Sequence, residues 1–207
     1  MTMRLNELER KLETVKGFHS PSSRLEQYQT PAPLAARLLF HAAVNGHITG
    51  KRVCDLGCGT GILAIGSALL GACEVVGVDT DEAVLATARG NARETGVEVM
   101  FFAGDAGDPE ALRWIGPCDT VVMNPPFGAQ KAHADRPFID AALQIAPITY
   151  GIFNGGSRQF IESYVAGRGR VDEVISGILP IRRTFSFHTR PNKEIPVQIM
   201  VIMRESA

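Results

Sequence analysis

Two short stretches hold the residue types that could do chemistry, and carboxylates at the ends of later strands complete them. Asp55-Leu-Gly57-Cys-Gly59-Thr60-Gly61-Ile62 follows a short apolar run, Arg52–Leu56, and opens a helical one. Three glycines in such a turn permit positive φ and let a ligand press against the backbone. Asp79 stands 22 residues after Gly57, at the end of the next β-branched run, where a carboxylate can accept from two vicinal ribose hydroxyls. A nicotinamide dinucleotide would call for G-x-G-x-x-G, but Ile62 occupies the third glycine's place and the spacing is G-x-G-x-G. Asp55, two positions before the first glycine, is ill-placed beside a pyrophosphate and suits a cationic amino-acid moiety instead.

The second stretch is Asn124-Pro125-Pro126-Phe127, directly after another apolar run, Thr120–Met123. Consecutive prolines fix φ, bar a helix and leave a rigid backbone with outward carbonyls. Such a frame serves methylation of a planar, barely basic nitrogen, whose lone pair is delocalised and attacks poorly. If the Asn124 side-chain oxygen and the Pro125 carbonyl each accept one N–H, the amine is held toward a tetrahedral shape with its lone pair exposed. This is positioning and electrostatic preorganisation, not base catalysis. Phe127 offers a ring on which a splayed-out base can stack, although a core Phe after a Pro-rich turn has the same appearance.

D-x-G-x-G-x-G after a first strand resembles the signature of class I methyltransferases, whose cofactor, S-adenosylmethionine, carries a cationic moiety of the kind that suits Asp55. In those enzymes the corner at Asp105 resembles the position that meets the cofactor's adenine amine, whereas a bare strand-end carboxylate can also simply cap a helix. N-P-P-[FY] is shared by enzymes acting on adenine, cytosine or guanine amines and on protein glutamine amides. It gives the reaction type and not the substrate.

The elements that must position these residues follow from hydrophobic periodicity. Leu5, Leu8, Leu12 and Val15 mark a short amphipathic helix stopped by Gly17, and Phe18–Pro33 is an extended lead-in. A helix from Pro33 to Asn45 comes next, then strands at Arg52–Leu56, Glu74–Val78, Val97–Phe102, Thr120–Met123 and Ile148–Phe153. Between and after them lie helices at Ile62–Leu70, Asp81–Glu94, Pro109–Trp114, Asp135–Ile145 and Ser157–Ala166. Two long strands, Val171–Phe185 and Ile195–Met203, close the chain. Strands alternating with helices predict an α/β fold, a mostly parallel sheet covered on both faces. The loop Phe187–Glu194 is too short for a parallel crossover, so the last strand must run antiparallel.

Length and composition set outer bounds. The 207 residues fit one domain, 1–207, with residues 1–32 as helix and lead-in and 33–207 as the core. A formal charge of −1 excludes a globally basic nucleic-acid coat protein. The four cysteines have no zinc-ligand spacing and no metal site is expected. A charged N-terminus without an apolar segment, and the lack of a long apolar run, predict a cytoplasmic protein with no membrane contact.

Over its whole length the sequence is similar to the methyltransferase-like protein 5 family and its archaeal relatives. The run Leu5–Phe18, Leu25-Glu26-Gln27-Tyr28-Gln-Thr30, DLGCGTG, NPPFG and Phe185-Ser-Phe187-His188 occur in the family's order. The resemblance implies a Rossmann-like class I methyltransferase with seven strands in the order 3-2-1-4-5-7-6. It implies transfer of a methyl group from S-adenosylmethionine to the exocyclic N6 amine of an adenosine in small-subunit ribosomal RNA. It further implies that Gln27 and Thr30 touch the cofactor together with Gly57, Thr60, Gly61, Ile62, Asp79, Asp105, Ala106 and Asn124. A small zinc-binding activator subunit is implied along the third strand, whose Val99-Met100-Phe101-Phe102 is unusually apolar for an unpaired edge. From Gly156 onward eight Arg or Lys stand against five acids. Arg182, Arg183, Phe187, His188, Arg190 and Lys193, mixing cations with rings, are the expected RNA contacts. A guanine or cytosine amine, or a protein glutamine amide, is the alternative acceptor.

Overall fold

The computed structural model describes residues 3–19, 21–22, 26–128, 132–182 and 192–205, without the side chains of 180–182 and 192–193. The expected RNA contacts Arg183, Phe187, His188 and Arg190 lie outside the described residues, as do the side chains of Arg182 and Lys193. In chain order the elements are α1 (Leu5–Leu12), α2 (Ala32–Val44), β1 (Arg52–Leu56), α3 (Ile62–Leu69), β2 (Glu74–Asp79), α4 (Glu82–Thr95) and β3 (Met100–Ala103). They continue with α5 (Pro109–Ile115), β4 (Thr120–Met123), α6 (Arg136–Ile145), β5 (Ile148–Asn154), α7 (Arg158–Val165), β6 (Gly169–Arg182) and β7 (Asn192–Arg204).

The seven strands form one sheet in the order β3-β2-β1-β4-β5-β7-β6. The β1–β2, β1–β4, β2–β3 and β4–β5 pairs are parallel, and β7 runs antiparallel to both β5 and β6, as the short loop required. β1 and β4 are buried at every position but Arg52, because helices cover both faces there. One face packs on α1–α4 through residues such as Leu8, Leu39, Leu63, Leu85 and Ile152. The other packs on α5–α7 through Leu56, Leu112, Ile139, Phe153 and Ile161.

The third strand starts later than expected, at Met100 and not Val97. Gly96, at φ +74°, ends α4 in a left-handed cap, and the Val97 N–H returns to the Ala92 carbonyl at 3.1 Å. That helix-closing turn consumes the residues after it, while Val97 and Val99 still pack on the core. Phe101 then turns inward over Gly77 of β2, where a Cβ would lie 2.6 Å from its ring. Met100 and Phe102 share the opposite face of β3 by strand alternation. Met100 is 53% exposed.

Candidate active site

The site residues gather at the carboxyl ends of β1, β2, β3 and β4. The turn after β1 is pinned from beneath, since the Gly57 and Cys58 N–H groups both donate to the Val78 carbonyl, at 2.8 and 2.9 Å. Gly57 sits at φ +70°, and a Cβ there would come 2.8 Å from the Phe138 ring. The ring and the bare backbone thus form two walls of one space. Asp79 ends β2 and braces the same turn, accepting from the Gly59 N–H at 2.8 Å with one oxygen and the Asp81 N–H at 3.0 Å with the other.

A cavity of about 310 Å³ opens here, lined among others by Gly57, Asp79, Asp105, Ala106, Asn124 and Pro126. A smaller space of about 30 Å³ adjoins it and is lined by Thr30, Asp55, Thr60, Ile62 and Asn124. The two share Phe18, Tyr28, Gly57, Gly59 and Asn124. Most of the residues read from sequence therefore converge. Gly61, Pro125 and Phe127 are not among the lining residues. Gly61 supplies the left-handed N-cap of α3, Pro125 is buried, and Phe127 is half-buried against the core on the α1–α4 side.

Two buried acceptors point to what the site is built for. Asp55 is 1% exposed, and its Oδ2 accepts from the Ala64 N–H at 2.9 Å. Its Oδ1 has no hydrogen-bond partner among the described residues, and neither does Asn124 Oδ1. Burial pushes the Asp55 carboxyl up to about 8, against the Ala64 N–H and with help from the nearby Asp79 charge. Burial also raises Asp79, with backbone N–H groups from Asp81 and Gly59 opposing it. Two desolvated carboxyls, Asp79 in the larger space and Asp55 in the smaller one beside it, favour a cationic occupant, whose charge would restore both toward their ordinary range. The donor set accordingly fits a small cationic ligand with a ribose: Asp55 for an ammonium, Asp79 for the hydroxyls.

The lead-in before α2 is woven into this site. Gln27 lines the cavity, but its amide is engaged, donating to Asp81 Oδ2 at 2.9 Å and accepting from the Ser22 N–H at 2.7 Å. Thr30, 6% exposed, accepts from Asn124 Nδ2 at 2.9 Å. Asp105 is exposed and caps its own turn by accepting from the Gly107 N–H at 2.8 Å.

Sequence reasoning missed Phe18, His133 and Phe138 in the lining, and Asn91 behind it. Asn91 is 2% exposed; it accepts from the Lys16 N–H and donates to the Lys16 and Thr60 carbonyls, tying the end of the first helix to the glycine turn. The signal was present, because Asn91 interrupts the apolar stripe of Val84, Leu85, Ala88 and Ala92 on α4.

The methyltransferase small domain family matches residues 34–146. The Mettl5 protein of Drosophila melanogaster, named an rRNA N(6)-adenosine-methyltransferase, is 36% identical over 200 residues, with 94% of each chain covered. An uncharacterised protein of Methanocaldococcus jannaschii is 40% identical over 203 residues, covering 94% of this chain and 92% of its own. A crystal structure titled as a putative RNA methyltransferase from Pyrococcus horikoshii superposes with a TM-score of 0.90 at 36% identity, over the full length of both chains. Fold and site together define a Rossmann-like class I methyltransferase. The chain belongs to the methyltransferase small domain family and, within it, to the methyltransferase-like protein 5 family.

Proposed function

We propose that this enzyme transfers the methyl group of S-adenosylmethionine to the exocyclic N6 amine of an adenosine in ribosomal RNA, most specifically of the small subunit. The observation that carries the reading is the Asn124 side-chain oxygen, buried and without a partner on a residue that lines the cavity and whose amide nitrogen is held by Thr30. The named activity of the Drosophila relative supports adenosine as acceptor.

The cofactor supplies an electrophilic methyl on a sulfonium. Asp55 would hold its ammonium end, Asp79 the ribose hydroxyls and Asp105 the adenine amine, with Gly57, Thr60, Ile62 and Ala106 in the lining between and Gly61 shaping the turn as the N-cap of α3. Asn124 Oδ1 and the Pro125 carbonyl each accept one N–H of the target amine, so its lone pair faces the reacting methyl. Phe127, half-buried against the core, is proposed to stack the base with the part of its ring that the core leaves open. The base must leave its stack to arrive there, so a single-stranded or easily opened site is preferred over duplex. Arg182, Arg183, Phe187, His188, Arg190 and Lys193 are proposed to grip the flanking RNA.

The exposed Met100, with Phe102 on the same face of an edge strand, supports docking of a small zinc-binding activator subunit along β3. Among the described residues no helix is long and apolar enough to cross a membrane. We place the chain in the cytoplasm with its substrate, working as one catalytic domain. The test is methyl transfer from labelled cofactor, with and without the activator subunit, to ribosomal RNA and to ribosomal protein, followed by nucleoside analysis. Label recovered as N6-methyladenosine supports the reading; label on glutamine, guanine or cytosine overturns it.

A further inference from the structure

The lead-in reaches the acceptor loop at both of its ends. Asn124 Nδ2 donates to the Thr30 hydroxyl oxygen at 2.9 Å, and the Phe127 N–H donates to Glu26 Oε2 at 2.9 Å. These two bonds join segments that are 94 and 101 residues apart in sequence. We propose that Thr30 and Glu26 form a two-point clamp of positioning residues, Thr30 anchoring the Asn124 carboxamide at one end of the acceptor loop and Glu26 holding the far end. The proposal rests on the reading of Asn124 as the amine's acceptor.

A primary carboxamide has two ends of nearly equal size and opposite hydrogen-bonding sense. Only its oxygen can accept from the N–H of an incoming amine; its nitrogen would face that amine donor to donor. In the structure the nitrogen donates to Thr30, and the oxygen is a buried atom without a partner on a residue that lines both spaces. Thr30 is suited to this task. It is buried, β-branched and followed by Pro31, which disfavours helical backbone for the residue before it, so its Oγ1 is held in place as an anchor for the amide. Thr30 lines the smaller space with Asp55 and also supports Asn124.

Glu26 adopts φ +51°, a left-handed backbone uncommon for this residue type, and its carboxylate accepts from the backbone N–H of the tetrapeptide's last residue. Glu26 and its neighbours Gln27 and Tyr28 also line the larger cavity. The segment that walls the cofactor space is therefore the one that fixes the acceptor loop.

The test compares variants in the full chain. Thr30→Val keeps the branched shape and removes the acceptor, and Thr30→Ser keeps the hydroxyl. Thr30→Val should lower kcat by roughly 10–100-fold while the cofactor Kd stays within about threefold, and Thr30→Ser should recover most of the loss. In an Asn124→Ala background Thr30→Val should cost nothing further, because a residue acting only through Asn124 has nothing left to orient. Glu26→Ala should speed hydrogen exchange at the Phe127 amide, with Glu26→Gln restoring protection, and Thr30→Val should shift the Asn124 side-chain amide signals in NMR spectra. A Thr30→Val variant that loses cofactor affinity at unchanged kcat, penalties that multiply in the double variant, or exchange and amide signals that do not respond each overturn the clamp. Normal exchange and amide behaviour in a chain that methylates no RNA overturns the functional reading instead and leaves the clamp standing.

Discussion

Asp55→Asn should stabilise the free protein while weakening its hold on the cofactor. The wild-type carboxyl has an ordinary value of 3.8 and is pushed to about 8, first by burial and then by the Asp79 charge, the Ala64 N–H opposing. Its folded pKa exceeds its unfolded one, so between those values the unfolded chain binds fewer protons and stability falls as pH rises, levelling off above about 8. At pH 7 that burden is about 4 kcal/mol. Asparagine does not titrate and keeps an oxygen for the Ala64 N–H. It turns a donor toward the place of the unpartnered Oδ1, at a cost of ~1–3 kcal/mol. The net gain of ~1–3 kcal/mol corresponds to a rise in Tm of roughly 3–10 °C for a chain of this size. Thermal unfolding between pH 4 and 9 would show the variant's advantage absent near pH 4, growing up to about pH 8 and constant beyond. Calorimetry at pH 8 should show cofactor affinity reduced by about 10–100-fold, the loss of a charge-assisted bond. A variant less stable than wild type at pH 8, or one that binds cofactor undiminished, would refute the assignment of Asp55 as a buried, strained anchor for a cation.

Asn124→Ala should cut turnover by ~10²–10³ at nearly unchanged cofactor affinity, read by single-turnover methylation, because the lost acceptor serves the substrate. Asp79→Ala should weaken cofactor binding by ~10–100-fold by calorimetry, and the wild-type chain should not bind NADH. Met100→Lys, at an exposed edge position, should leave the melting profile intact and abolish co-purification with the proposed activator subunit; undisturbed association would move the proposed docking surface elsewhere.

What the sequence revealed and what it hid divide along range. The glycine turn, Asp79 and the tetrapeptide were legible because each is a local pattern whose position at a strand end follows from hydrophobic period alone. The antiparallel course of β7 followed from loop length. The delayed start of β3 was hidden because Val97–Val99 read as a strand by β propensity while the Gly96 cap claimed them for closing α4. Gln27 and Thr30 carried no local signature. Their partners, Asp81 and Asn124, lie 54 and 94 residues away, and only the folded chain brings them together. Phe127 read equally as a stacking ring or a core residue, and the fold half-buries it.

The location of the two unpartnered oxygens follows from the sheet's topology. From β1 the chain winds outward through β2 to β3, and it returns to β4 on the other side of β1, so the crevice between the ends of β1 and β4 lies at the point where strand order reverses. Asp55 is the penultimate residue of β1 and Asn124 the first after β4, so both side chains are delivered to that crevice. Leaving two buried acceptors unmatched costs ~1–3 kcal/mol each. That cost is tolerated where the backbone is over-determined: β1 is paired on both sides, β4 is buried at every position, and Asn124 is additionally held by Thr30. A looser strand end would let these side chains turn to water. The rigidity of the two central strands thus keeps both oxygens without a partner at the crevice where the proposed function sets one against the cofactor's cation and the other against the acceptor amine.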